Sequence, residues 1–317
     1  MLPPEHDWGT RDPAWTGVRT ETVEVRGHPV RALRADGPED ATPLLLIHGL
    51  GGSALNWFDV ARPLSAHGHV VAVDLPGFGA TPLPDGGSAR IQANAGFVRA
   101  LVRALEFERV VLAGNSMGGL LATLVASREP DVVERLILVN PALPGPRRTM
   151  VRQPGKVFTR ILPAAAPGVG RAYLEVGVRL RSPEQLIEES LATSLGEAGR
   201  IRPALRDALI ENAAALRQHP WRRQALVAAA RSMVTLVASA RSLERAVSGI
   251  TAPTLLLWGD LDRLVSTHVI TALSARRPDW ALHVFEGVGH APQIEVPDQF
   301  VAVVGDWLTT PVVAAEG

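Results

Sequence analysis

The sequence predicts an α/β fold with a mostly parallel central sheet, helices on both faces and an inserted helical cap. Three observations lead there. Short apolar runs alternate with helical patterns toward both ends of the chain, as strands joined by crossover helices require. Runs such as "PLLLIHG" and "VERLILVN" are apolar throughout rather than alternating, which suits strands buried on both faces. Between the two alternating regions, over residues 141–249, the pattern is helical and contains no convincing strand.

The elements follow in order. The first twenty residues carry Pro and Trp without periodicity and read as an irregular arm on the surface. "ETVEVRGHPVRALRAD" holds two alternating runs about "RGHP", a β-hairpin. Strands "PLLLIHG" and "HVVAVDLPG" come next, then a helix from Ile91 to Leu105, strand "RVVLAG", a helix from Met117 to Ser127 and strand "VERLILVN". At Asn140 the character changes. "NPALPGPRRTM" is rich in Pro and Gly, and helices then run to about Gly249, with loops at "LPAAAPGVG" and "RQHPW". Alternation resumes with strand "PTLLLWG", a helix from Thr267 to Arg276, strand "ALHVFEG" and a helix from Pro297 to Leu308. A helical block between strands of one sheet is most simply an insertion. Residues 1–140 and 250–317 are therefore read as one core and 141–249 as the cap.

Composition narrows the function. With 46% hydrophobic and 20% charged residues the chain is ordinary for a globular protein, and its net charge of zero gives no field for nucleic acid. It has no cysteine, which excludes disulfides, thiolate nucleophiles and cysteine-based metal sites. The opening "MLPPEHDWGTRDPAW" does not read as a secretory signal, and the most apolar helical stretch is interrupted by Arg231 and Arg241, so no membrane span is expected. A cytoplasmic protein acting on a small molecule, without metal or organic cofactor, is the expectation. Its oligomeric state is left open between monomer and dimer.

The chemistry centres on "GNSMG". Gly114-Asn115-Ser116-Met117-Gly118 fits G-x-S-x-G, with a strand before it and a helix after it, the context in which that pattern presents a nucleophilic serine. A serine hydroxyl needs a base. His290, on the loop after the last strand, is better placed than His219, His268 or His283, while His48 reads as organising its own loop. A carboxylate must orient that base. "WGDLDRLV" offers Asp260 and Asp262, and Asp262 is preferred because Asp260 follows Gly259 closely enough to serve the turn. The other position for such an acid, after "LILVN", holds Asn140. Donors for an oxyanion are expected from the N–H groups of Met117 and Leu50, with Gly49 as the fallback for the second. Trp57, Trp221 and Asn115 are candidate pocket residues. A competing pattern, Gly49-x-Gly51-x-x-Ala54 with Asp74 ending the next strand, fits a dinucleotide site but leaves Ser116, Asp262 and His290 unexplained.

With "HGLGGS", "DLPGFGAT", "GNSMGG", "WGDLDRLV" and "GVGHAPQIEVP" in this order, the chain resembles the α/β-hydrolase fold superfamily over nearly its whole length. The resemblance implies a Ser–Asp–His triad, an oxyanion hole and a cap over the pocket. It is strongest to the branch of carboxylesterases, meta-cleavage-product C–C hydrolases, enol-lactonases and cofactor-free haloperoxidase-like enzymes. Ser116 argues against branches that use an aspartate nucleophile, and Tyr173, the only tyrosine, argues against the paired cap tyrosines of epoxide hydrolases. Ala291 stands where the C–C hydrolases usually carry an aromatic residue. The leading expectation is therefore hydrolysis of a carboxylic ester of small or medium apolar type through an acyl-enzyme. C–C hydrolysis of a vinylogous 1,5-diketone, with Arg222 or Arg223 meeting its oxo-acid end, is the alternative, beside lactone or thioester cleavage. A non-catalytic receptor on the same fold is the remote one.

Overall fold

The structure, a computed structural model, describes residues 7–145, 162–166 and 168–311. The first six residues of the expected arm and residues 146–161 of the expected cap lie outside them. β1 (Val18–Val25) and β2 (His28–Ala35) form the hairpin, turning through Arg26 and Gly27, both at positive φ. A two-residue turn of that hand matches the twist of the strands it joins. There follow β3 (Leu44–Ile47), α1 (Phe58–Leu64), β4 (Val70–Val73), α2 (Ile91–Ala104), β5 (Val110–Asn115), α3 (Met117–Arg128) and β6 (Val133–Val139). Helices α4 (Gly170–Leu180), α5 (Pro183–Ser194), α6 (Pro203–Leu216), α7 (Pro220–Ala238) and α8 (Ala240–Ser248) stand before β7 (Thr254–Gly259). The chain continues through α9 (Thr267–Arg276), β8 (Ala281–Phe285), α10 (Pro292–Glu295) and α11 (Pro297–Thr309).

One eight-stranded sheet results, in the order β1-β2-β4-β3-β5-β6-β7-β8. β1 and β2 pair antiparallel, as do β2 and β4; every other pairing is parallel. Because β6 and β7 are neighbours, α4 to α8 leave and re-enter the sheet between adjacent strands. Side chains of a strand alternate between faces. Leu44, Leu46, Val70 and Ala72 pack with α1 and α11, while Leu45, Ile47, Val71 and Val73 pack with α2 and α3. At about 1.5–3 kcal/mol for each large aliphatic side chain buried, these two layers hold the strand ends, and hence the site, in place. Among the described residues no single helix is long and apolar enough to cross a membrane, and α7 and α8 meet at a bend of 80°.

The arm departs from expectation. Trp8 and Trp15 are buried rather than lying on the surface, and both rings lie against Phe58, at 4.6 and 4.7 Å between centroids. Each indole N–H has an acceptor: Trp8 donates to Thr20 Oγ1 at 2.8 Å and Trp15 to Asp59 Oδ1 at 2.8 Å. The arm also reaches the inserted helices. Arg11 makes a two-pronged ion pair with Glu211 of α6, at 2.7 and 2.5 Å, and Asp12 lies 3.5 Å from Arg202, just before α6. Its lack of periodicity hid this, because the burial rests on two large rings rather than on a repeating pattern.

Candidate active site

β5 runs straight into Ser116, whose backbone stands at φ 56°, ψ −114°. A positive φ is unfavourable for a residue with a side chain, so the surroundings must hold it. Ser116 N donates to Val139 O at 3.0 Å, and Ser116 O accepts from Leu120 N at 3.1 Å and Ala142 N at 2.9 Å. The turn is tight enough to require glycine on both sides. A Cβ on Gly114 would lie 2.3 Å from the Gly118 backbone, and one on Gly118 would lie 2.2 Å from Ile47 O.

Ser116 and His290 line one cavity of about 370 Å3 at the carboxyl ends of β3, β5 and β8, where open α/β sheets bind their ligands. Its other walls come from the inserted helices, including Ile187, Leu209, Arg222 and Met233. His290 Nδ1 lies 2.8 Å from Asp262 Oδ2. Asp262 is saturated with donors: Oδ2 also accepts from Asn140 Nδ2 at 2.7 Å, and Oδ1 accepts from Leu264 N at 2.7 Å and Val265 N at 3.0 Å. Asp260 instead accepts from Val288 N at 3.2 Å, holding the loop. The described hydrogen bonds join His290 to Asp262 but not Ser116 to His290. In unliganded catalytic sites that link is often long and tightens when substrate binds.

Leu50 lines the cavity and Met117 opens α3 directly behind Ser116. Neither N–H has an acceptor among the described hydrogen bonds, and Met117 N adds the positive end of a helix. His48 fixes the first of these donors. It is fully buried, its Nε2 accepts from Leu75 N at 3.1 Å, and its Nδ1 therefore carries the proton donated to Gly49 O at 2.7 Å. Burial lowers the pKa of its imidazole below the usual histidine value, with the attraction of Asp74 opposing, which favours the neutral ring. In a trans-planar peptide C=O and N–H point opposite ways, so holding Gly49 O also holds Leu50 N–H. Asp74 is occupied too. It accepts from Ala54 N and Ala80 N, each at 2.7 Å, and is fully buried. Enclosed in this way and absent from the cavity lining, it offers no face to a ribose, which removes the dinucleotide reading.

Two predicted pocket residues are elsewhere. Trp57 is fully buried in the α1–α11 layer with Phe300, and the Trp221 ring lies tilted against His219 at 5.3 Å between centroids; neither lines the cavity. The spacing that brought them near the loop carried no information on which way each ring turns. Asn115 does line the cavity, but its Nδ2 is committed to Val139 O at 3.1 Å and His290 O at 3.0 Å. It ties the serine turn to the histidine loop.

Sequence reading missed Glu295. This carboxylate, 2% exposed, accepts from Gly289 N at 2.8 Å and from Gly196 N and Glu197 N at 2.9 and 2.8 Å, with Arg200 3.7 Å away. It joins the residue before His290 to the turn after α5, whose Ser194 O accepts from His290 N at 2.5 Å. An acid between Ile294 and Val296 was the available signal. Glu295→Gln puts an NH2 group against backbone donors. With hydrogen bonds to a charged group contributing about 1.5–3 kcal/mol, kcat is expected to fall roughly ten- to a hundredfold with KM little changed; steady-state kinetics on folded protein checks the split.

With this geometry in view, the comparisons with known proteins are direct. The sequence model of the alpha/beta hydrolase family matches residues 44–303. A 2-hydroxy-6-oxononadienedioate/2-hydroxy-6-oxononatrienedioate hydrolase of Cupriavidus pinatubonensis is 31% identical over 84% of this chain and 87% of its own. A 2-hydroxy-6-oxo-2,4-heptadienoate hydrolase of Pseudomonas putida is 29% identical over 84% and 88%. Among solved structures, a bacterial membrane phospholipase A is similar with a TM-score of 0.69 and 29% identity, covering 94% of this chain and 87% of that one.

Proposed function

The chain belongs to the alpha/beta hydrolase family, and from that premise we propose that it is a serine hydrolase that cleaves a carbon–carbon bond in a conjugated 2-hydroxy-6-oxo acid of the meta-cleavage type. This replaces the ester hydrolysis expected first. The observation that carries it is Arg222. Arg222 lines the cavity that holds Ser116 and His290, and its guanidinium has no carboxylate within 4.0 Å among the described residues. Burial lowers its pKa, as does the like charge of Arg223, and the attraction of Asp74 only partly offsets this. A cation so placed is matched to a substrate carboxylate, which the relatives' substrates, as named, carry.

In this reading His290 removes the Ser116 proton as Oγ attacks the ketone carbon, and the N–H groups of Leu50 and Met117 hold the resulting oxyanion. Collapse breaks the adjoining carbon–carbon bond. The pair is accepted because the dienol first ketonises, its hydroxyl proton moving to C5, so that the electrons released at C5 spread through the C3–C4 alkene into the 2-oxo group. His290 then returns the Ser116 proton to carbon. Water, activated by His290, then cleaves the acyl group from Ser116. Asp262 keeps the imidazole oriented throughout. The inserted helices roof the pocket and Arg222 sets which end of the substrate faces Ser116.

Ester hydrolysis remains the second reading. Ala291 after His290 and the likeness to a phospholipase A favour it. Following the loss of colour of a 2-hydroxy-6-oxodienoate beside release of p-nitrophenol from short esters separates the two. Turnover of the dienoate is expected, with KM raised roughly ten- to a hundredfold by Arg222→Gln and neutral esters little affected. Fast ester cleavage with no loss of dienoate colour would overturn the proposal.

A further inference from the structure

Beside the catalytic cavity lies a second, larger hollow of about 950 Å3. The two share walls, among them Gly51, Ile187, Arg222 and Leu226. One side of the outer hollow is α4 with the residue before it. Val169, Tyr173, Val176 and Leu180 recur at intervals of three or four, which places them on one stripe of the helix. They are 59, 49, 52 and 78% exposed. An apolar stripe this open to solvent is not core packing.

The same hollow is lined by four arginines; Arg181 is paired with Glu189 at 2.9 Å, and the other three are Arg217, Arg222 and Arg223. Arg217 donates to Val178 O of α4, and Arg223 donates to Arg217 O at 3.4 Å. None of the three has a carboxylate within 4.0 Å among the described residues. Residues 146–161 contain no Asp or Glu. Nε of Arg223 is buried without an acceptor. Arg222 and Arg223 also stand in the first turn of α7, which has no acidic residue, at the helix end where positive charge is unfavourable. An apolar stripe and uncompensated guanidinium groups thus face one cavity, and a single ligand that satisfies both must be apolar along its length and anionic at one end.

We propose that the outer hollow binds an elongated anionic amphiphile, its chain laid along the α4 stripe and its oxyanion head held by Arg217 and Arg223. From Val169 to Leu180 the stripe covers twelve residues, roughly 16 Å at 1.5 Å per step, the reach of a chain of about twelve carbons. The hollow is within the volume range of small-molecule sites. The site does not depend on which bond Ser116 cuts, so binding is tested apart from turnover.

The full chain carrying Ser116→Ala is titrated calorimetrically with monomeric dodecanoate, dodecyl phosphate, dodecanol and hexanoate, and sedimented with phosphatidylglycerol vesicles. Dodecanoate and dodecyl phosphate are expected to bind at least tenfold more tightly than dodecanol and hexanoate. Arg217→Gln with Arg223→Gln should bring dodecanoate down to the level of dodecanol, about tenfold or more. Leu180→Ser, at a position exposed enough to spare folding, should weaken every twelve-carbon ligand. Equal affinity for dodecanol and dodecanoate, binding indifferent to the arginine pair, or association with vesicles but not with monomeric amphiphile would each overturn the proposal.

Discussion

Ser116→Ala is expected to lower kcat by roughly 10^5- to 10^6-fold, with His290→Ala about as damaging and the double variant hardly worse. The reason is that the hydroxyl and the imidazole act as one unit: without the base the alcohol is a feeble nucleophile, and without the alcohol the base has no proton to take. What survives in each variant is the pull of the Leu50 and Met117 N–H groups on the carbonyl oxygen. Single-turnover rates on the dienoate and on a short ester measure both effects. A Ser116→Ala protein keeping more than a hundredth of its activity would remove Ser116 from the mechanism. The fold should tolerate the change, since the turn is held by backbone bonds to Val139, Leu120 and Ala142 rather than by the hydroxyl.

Asp262→Asn is expected to lower kcat by about four orders of magnitude with little change in KM. Both oxygens of Asp262 accept: Oδ2 faces His290 Nδ1 and Asn140 Nδ2, and Oδ1 faces Leu264 N and Val265 N. An asparagine must turn its NH2 group toward one pair of donors. Either the loop loses two bonds, or the imidazole shifts its proton to the nitrogen that should take one from Ser116. The two results are distinguishable, because the first also lowers the melting temperature and the second leaves it nearly unchanged. Full activity in the variant would show that the carboxylate has no part in orienting the base.

The sheet and the candidate nucleophile were legible because each is written locally. Unbroken apolar runs mark strands covered on both faces, and Gly114 and Gly118 are required because a Cβ there would lie 2.3 and 2.2 Å from neighbouring backbone. His290 and Asp262 were legible from the loops they follow, since parallel strands deliver those loops to one edge. What sequence could not show is direction. Trp57 and Trp221 sit near the right segments with their rings turned elsewhere. Asn140 was set aside for lacking charge, yet its amide fixes Asp262. Glu295 binds backbone rather than substrate, and such a role follows no motif of charge pairing.

The buried tryptophans near the start of the chain bear on how the protein assembles. Their aromatic partner, Phe58, precedes the inserted helices in the chain, so the apolar half of this docking can form before those helices are made. The indole bonds to Thr20 and Asp59 are as local, whereas the Arg11 ion pair must wait for Glu211, two hundred residues after it. Closing so long a loop is slow to nucleate but adds little free energy per extra residue. The arm is therefore expected to settle on the sheet first and to offer Arg11 as a ready partner for the helix that carries Glu211.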